Sequence, residues 1–286
     1  MFRTGDSFAY RECDTCGSLQ IDTVPPDLSA HYASDRYYSF AEPNQRLRRR
    51  WLRWTPARVA LRLNTEIYLR TGVGFGRSWA KRAGIRPADR ILDIGCGQGG
   101  NLLLLHLLGY RHLLGADPFL DTSMEVAPGA PVLKATHKEI EGRFDWVMMH
   151  HSFEHVADPR ALLASVQDLL AGDGRALIRM PVTGGWAWRE YRENWVQLDA
   201  PRHLVVYTVD GFRRIAEECG FLLEDVFYDS GTFQFWGSEL VRSGEAHARG
   251  PSVRFTSQQM AAWAGEAERL NRALDGDQAS FVLRPR

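Results

Sequence analysis

Ile91-Leu92-Asp93-Ile94-Gly95-Cys96-Gly97-Gln98-Gly99-Gly100-Asn101 is a short apolar run that breaks into glycine and then resumes as Leu102-Leu103-Leu104-Leu105. The run reads as a strand over Arg90–Ile94 and the leucines as a helix through Asn101–Leu108. Glycine between them lets the chain turn sharply and lets a ligand approach the bare main chain. The helix that follows turns its first amides toward the same place. Asp93 stands inside the apolar run, two residues before Gly95. A carboxylate there suits a ligand that carries an amino cation. Gly95-x-Gly97-x-x-Gly100 also satisfies the dinucleotide fingerprint, but such a loop ordinarily has an apolar residue where this chain has Asp93.

On either side of this stretch, short apolar runs alternate with helical segments. Further strands are expected at His112–Ala116, near Val132–Lys134, and at Trp146–Met149, Ala176–Met180, Leu222–Tyr228 and Ala279–Leu283. Helices are expected at 76–84, 159–170 (closed by Gly172-Asp173-Gly174), 209–219 (stopped by Gly220) and 256–274. The alternation predicts an α/β fold with a doubly wound, mainly parallel seven-stranded sheet. In such a sheet, ligands lie at the carboxyl ends of the strands. Asp117 closes the second strand, where a carboxylate can accept both hydroxyl hydrogens of a ribose. Phe144-Asp145-Trp146-Val147 leads into His150-His151-Ser152-Phe153-Glu154-His155, which places polar groups at the carboxyl end of the fourth strand.

Together these residues resemble the class I S-adenosylmethionine-dependent methyltransferases, whose sheet is Rossmann-like. The resemblance covers roughly residues 85–230 and, more loosely, the C-terminus. It rests on Asp93-x-Gly95-x-Gly97-x-Gly99, Asp117, Phe144-Asp145 and the Glu154-His155 pair. Asp199-x-Pro201-Arg202-His203-Leu204 and Glu218-Cys219-Gly220-Phe221 resemble later landmarks of a bacterial branch that acts on small molecules, sugars and quinone precursors among them. The resemblance implies S-adenosylmethionine as cofactor, with S-adenosylhomocysteine as product. Asp93 then binds the methionine amino group, and Gly95, Gly97 and Gly99 line the cofactor. Asp117 holds the ribose, with Pro118 or Phe119 against the adenine. Thr136–Lys138 pass near the adenine edge, and His150 lies close to the methyl end.

Transfer of a sulfonium methyl needs alignment and exclusion of water more than covalent chemistry. A hydroxyl or carbon acceptor also benefits from a general base. His155 and His203 are the preferred bases, with His151 third; His150 and Glu154 complete the candidates. His151, Glu154, His155 and His203 also have a spacing that suits a divalent ion. The metal-free reading is preferred, and no metal ligand is assigned. Residues 182–203 interrupt the βα rhythm and read as a lid, in which Trp186, Trp188 and Trp195 either stack on a ring substrate or pack against the core. A second insertion is placed at about 240–275.

The 286 residues are 44% hydrophobic and 24% charged, with a formal net charge of zero. That balance leaves no footprint for a nucleic-acid partner. Four cysteines make no disulfide framework, which suggests a reducing compartment. With no apolar leader and no apolar run long enough to span a bilayer, the cytoplasm is the expected location. Residues 1–43 read as an irregular segment holding half a zinc knuckle, Cys13-x-x-Cys16-Gly17, and an aromatic cluster at Tyr32, Tyr37, Tyr38 and Phe40. A tetrahedral zinc site needs four ligands, and no second pair is present. Residues 44–84 read as a helical extension and 85–286 as the methyltransferase domain. Segment 44–62, rich in arginine with Trp51 and Trp54, is either a solvated helix face, an anion-binding face or a peripheral membrane contact. The leading function is methyl transfer to a small molecule, a sugar or glycan precursor being the favoured class. The alternatives are a nicotinamide-dependent oxidoreductase and a non-catalytic module that binds the same cofactor. The oligomeric state is left open.

Overall fold

The computed structural model describes residues 6–28, 31, 75–244, 251 and 254–286. The expectations for the aromatic cluster at 32–40 and for segment 44–62 lie outside these residues. Two strands at the start of the chain, β1 (Tyr10–Glu12) and β2 (Leu19–Ile21), are followed by helix α1 (Phe75–Ala83). The βα alternation then runs through β3 (Arg90–Ile94), α2 (Gly100–Leu107), β4 (His112–Ala116), β5 (Met124–Ala127), β6 (Ala130–Leu133) and β7 (Phe144–His150). It continues through α3 (Pro159–Leu169), β8 (Leu170–Pro181), α4 (Trp186–Tyr191), β9 (Val205–Val206), α5 (Val209–Glu218) and β10 (Phe221–Tyr228). Helices α6 (Phe233–Arg242) and α7 (Ser257–Arg272) precede the last strand, β11 (Gln278–Pro285).

Among the described residues the main sheet has eight strands in the order β10-β11-β8-β7-β3-β4-β6-β5, one more than expected. The extra strand is β5, which turns at Gly129 and pairs antiparallel with β6. β8, β7, β3, β4 and β6 are mutually parallel, and β11 enters antiparallel between β10 and β8. Strand order reverses at β3: the chain moves to β4 on one side and later returns to β7 on the other. That switch opens a crevice at the carboxyl ends of β3 and β7.

Strands covered on both faces are apolar throughout rather than alternating, and Ile91, Leu92, Val147, Met148, Leu177 and Ile178 are all fully buried. On one face Leu162, Leu163 and Val166 of α3 and Phe212 and Ala216 of α5 complete the core. On the other, Trp79 of α1 and Leu102 and Leu105 of α2 do so. Helix starts are set by short polar side chains. Asp158 accepts from the Ala161 amide with Pro159 in the first turn, and Thr208 accepts from the Gly211 amide. Thr256 and Gln259 form a reciprocal capping box.

Residues 10–21, read from sequence as irregular, instead form a hairpin. β2 pairs antiparallel with β9, in register Leu19↔Val206, to make a separate three-stranded sheet. Strands of two or three residues carry no readable periodicity, and β9 exists because β2 offers it an edge. The hairpin is also tied down by polar bonds. Thr208 Oγ1 donates to the Cys16 carbonyl at 2.7 Å, and the Tyr10 hydroxyl donates to the His203 carbonyl at 2.7 Å.

Candidate active site

Asp93 sits in β3 between Gly115 of β4 and Met148 of β7, with 1% of its surface exposed. Neither carboxylate oxygen has a hydrogen-bond partner. Burial pushes its carboxyl up to about 8, and the charge of Asp117 adds to the shift. An orphaned buried acid is costly to keep, so its presence marks a place built for a cation. The next residues curl around it. Gly95 (φ 71°), Gly97 (φ 52°) and Gly99 (φ 73°) are left-handed. A Cβ on Gly95 would lie 2.5 Å from the Ser152 Cβ, and one on Gly99 would lie 2.7 Å from Val126. The loop therefore needs glycine both for its torsions and for its close approach to neighbouring chain.

Asp117, at the end of β4, is aimed by two amides: Gly97 N donates to Oδ2 and Phe119 N to Oδ1, each at 2.9 Å. Each oxygen keeps a further lone pair for a hydroxyl. Beside it Phe119 is 68% exposed, next in the chain but one to the acid. An acid awaiting an amino group, a second acid fixed for hydroxyls and an exposed ring fit the three parts of S-adenosylmethionine.

His150 ends β7 half-buried, its ring 4.3 Å from that of Trp79 and its Nε2 buried without a hydrogen bond. Burial holds it well below the usual imidazole range, with the Arg179 charge adding to the effect, so it is neutral at pH 7. The next residue turns the chain. His151 holds φ 52°, which costs a residue with a Cβ about 1 kcal/mol. Its Nε2 lies 2.8 Å from Arg179 Nη1, and Arg179 Nε donates to Asp229 at 2.7 Å. Since guanidinium only donates, Nε2 accepts and Nδ1 carries the proton, facing Glu154 Oε1 at 3.5 Å. Nε2 is thus engaged by Arg179, while Nδ1 faces Glu154 without a hydrogen bond.

Glu154, His155 and His203 form the neighbouring cluster. Nδ1 of His155 bonds the Arg202 carbonyl at 2.9 Å, and Nδ1 of His203 bonds the Gln197 carbonyl at 2.7 Å. Carbonyls only accept, so each Nδ1 carries the proton and each Nε2 is the basic nitrogen. His203 Nε2 lies 3.8 Å from both Glu154 Oε1 and Asp199 Oδ2, and the two rings meet edge to face at 4.8 Å. Burial pushes His203 down to about 4. Burial alone would raise Glu154, but the neighbouring imidazoles, His151 first, outweigh it and hold the carboxyl at about 2. Asp199, in turn, is paired side-on with Arg202.

The lid tryptophans pack inward. Trp195 is buried with its Nε1 donating to Asp277 at 3.1 Å, Trp188 lies against it, and Trp186 packs on Tyr191 and Phe235. Of the two readings of these rings, packing describes them. Sequence reasoning missed Arg179, Asp229 and Asp277. A charge inside the apolar run Ala176–Met180 was the available signal for the first; the two acids carried none.

The sequence pattern of the methyltransferase domain family matches residues 44–226. This chain belongs to that family. It is an S-adenosylmethionine-dependent methyltransferase, and the fold is of class I, with a Rossmann-like sheet. Among curated proteins no sequence matches this methyltransferase. Solved structures similar to it include a protein from Galdieria sulphuraria described as a putative sarcosine dimethylglycine methyltransferase (18% identity, 77% of this chain and 86% of that one, TM-score 0.47). A possible histamine N-methyltransferase from Thermotoga maritima is 15% identical over 77% of this chain and 94% of its own, with TM-score 0.47. Phosphoethanolamine N-methyltransferase 2 of Haemonchus contortus, in complex with S-adenosyl-L-methionine, is 19% identical over 75% of this chain and 53% of its own, with TM-score 0.46. No helix among the described residues of the methyltransferase is long and apolar enough to cross a membrane.

Proposed function

We propose that the methyltransferase acts on a hydroxylated small molecule, a sugar or glycan precursor being the favoured class, held in the crevice beside β7 and β8. When bound, S-adenosylmethionine supplies a methyl group on a sulfonium, an electrophile that needs no metal. The observation that carries the cofactor half is the orphaned Asp93 carboxylate. In this reading Asp93 binds the methionine amino group, and Gly95, Gly97 and Gly99 line the cofactor. Asp117 takes the ribose hydroxyls, Pro118 and Phe119 border the adenine, and His150 packs behind the methyl end.

Support for a polar acceptor comes from the next strand ends, where His151, Arg179, Asp229, Glu154 and His203 put paired charges and imidazoles at one edge. A polar acceptor can add hydrogen bonds to such groups, which an apolar one cannot. His155 and His203, each with its proton fixed on Nδ1, are the groups able to accept a proton from a hydroxyl; His151 faces Glu154. The test is release of S-adenosylhomocysteine from the purified enzyme against a panel of nucleotide sugars. Turnover of one sugar, lost in Asp93→Ala, is expected. Turnover only with amines or apolar acceptors would overturn the acceptor assignment.

A further inference from the structure

Glu154 is 0% exposed, yet neither of its oxygens makes a hydrogen bond. A fully buried carboxylate in that state is costly unless something positive sits against it. One ligand atom from each of Glu154, His155 and His203 lies within 4.8 Å of the other two. The imidazoles are oriented as metal-binding histidines are: each Nδ1–H is tethered to a backbone carbonyl, of Arg202 and of Gln197, so that Nε2 is the basic nitrogen and the ring is fixed. The carbonyls come from the chain between α4 and β9, so the tethers are part of the fold. Glu154 and His203 are buried while His155 is half-buried, so access is from one side.

We infer that Glu154, His155 and His203 form a binding site for one divalent transition-metal cation. Two imidazoles and one carboxylate are a donor set for zinc or for iron, cobalt and manganese in the divalent state, and they leave coordination positions open. Metal–nitrogen bonds of about 2.1 Å put ligand atoms roughly 3.4 Å apart in a tetrahedral site. The 3.8 Å between His203 Nε2 and Glu154 Oε1 is therefore within a small side-chain adjustment of ligation. His151 Nδ1 lies 3.5 Å from the same oxygen without a hydrogen bond to it, and His151, whose Nε2 is taken by Arg179, is not a ligand. An open position would take a hydroxyl oxygen of the substrate and lower its pKa, and with both Nε2 atoms on the cation the two imidazoles would hold it in place of acting as bases. This deepens the acceptor assignment above and rests on it only for what the cation does, not for whether it binds.

The test is titration of Co2+ into the full-length, chelator-stripped protein saturated with S-adenosylhomocysteine, read by visible d–d absorption and calorimetry. One equivalent is expected to bind with the spectrum of a nitrogen- and oxygen-ligated ion. Affinity should fall at least tenfold in Glu154→Gln and in His155→Gln, and stay unchanged in His112→Ala, an exposed histidine at the opposite end of the sheet. Retained S-adenosylhomocysteine binding in the variants shows that they are folded. Failure of the wild type to bind Co2+ while binding S-adenosylhomocysteine overturns the metal site alone. Equal Co2+ affinity in wild type and both cluster variants does so as well. Failure to bind S-adenosylhomocysteine would instead overturn the cofactor assignment.

Discussion

Asp93 and Glu154 are both buried carboxylates without hydrogen bonds, on adjacent strand ends, and their surroundings push them in opposite directions. At the β3–β4 edge, Asp93 is buried beside another acid, Asp117, and rises to about 8. At the β7 edge, Glu154 is ringed by imidazoles and falls to about 2. The first region is electrostatically incomplete until a cation arrives from outside. The second keeps its carboxylate ionised among imidazoles, the state in which it would ligate a metal cation. One edge is thus shaped for an organic amino cation and the other presents an ionised carboxylate within a polar framework.

The comparison is broken most severely at Arg179. It bridges His151 and Asp229 within the sheet, so Arg179→Met leaves both without that partner and should destabilise the protein by about 3–5 kcal/mol. Thermal and urea unfolding measure it, and a loss below about 1 kcal/mol would mean the framework is not stabilising. Asp93→Ala should do the reverse. Affinity for S-adenosylmethionine and S-adenosylhomocysteine should drop about 100-fold, about 2.7 kcal/mol, while the ligand-free protein keeps its stability. Calorimetry showing wild-type affinity would refute the assignment of Asp93.

The same contrast predicts opposite pH behaviour. Asp93, raised in the fold, contributes stability fully present below its ordinary value of 3.8 and lost as pH rises through about 8. Glu154, lowered in the fold, contributes stability present above 4.5 and lost as pH falls through about 2. Binding the amino cation should ionise Asp93. S-adenosylhomocysteine binding near pH 6.5 should therefore release close to one proton, declining to none well above pH 8. Calorimetry in buffers of different ionisation enthalpy counts it, and proton uptake would contradict the sign. The smallest effect is expected from Tyr10→Phe, which loses the hydroxyl bond to the His203 carbonyl, about 1 kcal/mol by thermal unfolding with cofactor affinity unchanged.

The cofactor edge was legible in the sequence because its signals are local. Asp93, the glycines and Asp117 fall within one βαβ unit, and β3 and β4 have the expected bounds. The acceptor edge was only half legible. His151, Glu154 and His155 stand together in the chain, but Arg179, Asp229 and Asp277 reach them only through strand pairing. Helix α6 was not foreseen, because Phe233-Gln234-Phe235-Trp236-Gly237 has no helical signature of its own. It is ordered by Phe235 packing on Trp186 and Trp263. Strand β8 begins at Leu170, earlier than expected, and Gly172-Asp173-Gly174 is contained within it as a register shift against β7.

The N-terminal hairpin also has a consequence in time. Tyr10 and His203 are 193 positions apart, and β2 has no partner for its outer edge until β9 exists. At ordinary synthesis rates the hairpin waits roughly 10–40 s for the segment that completes its sheet. The cofactor edge, built from neighbours in sequence, closes long before. Assembly of the acceptor edge is therefore the late event, with closure of a long loop as its entropic cost.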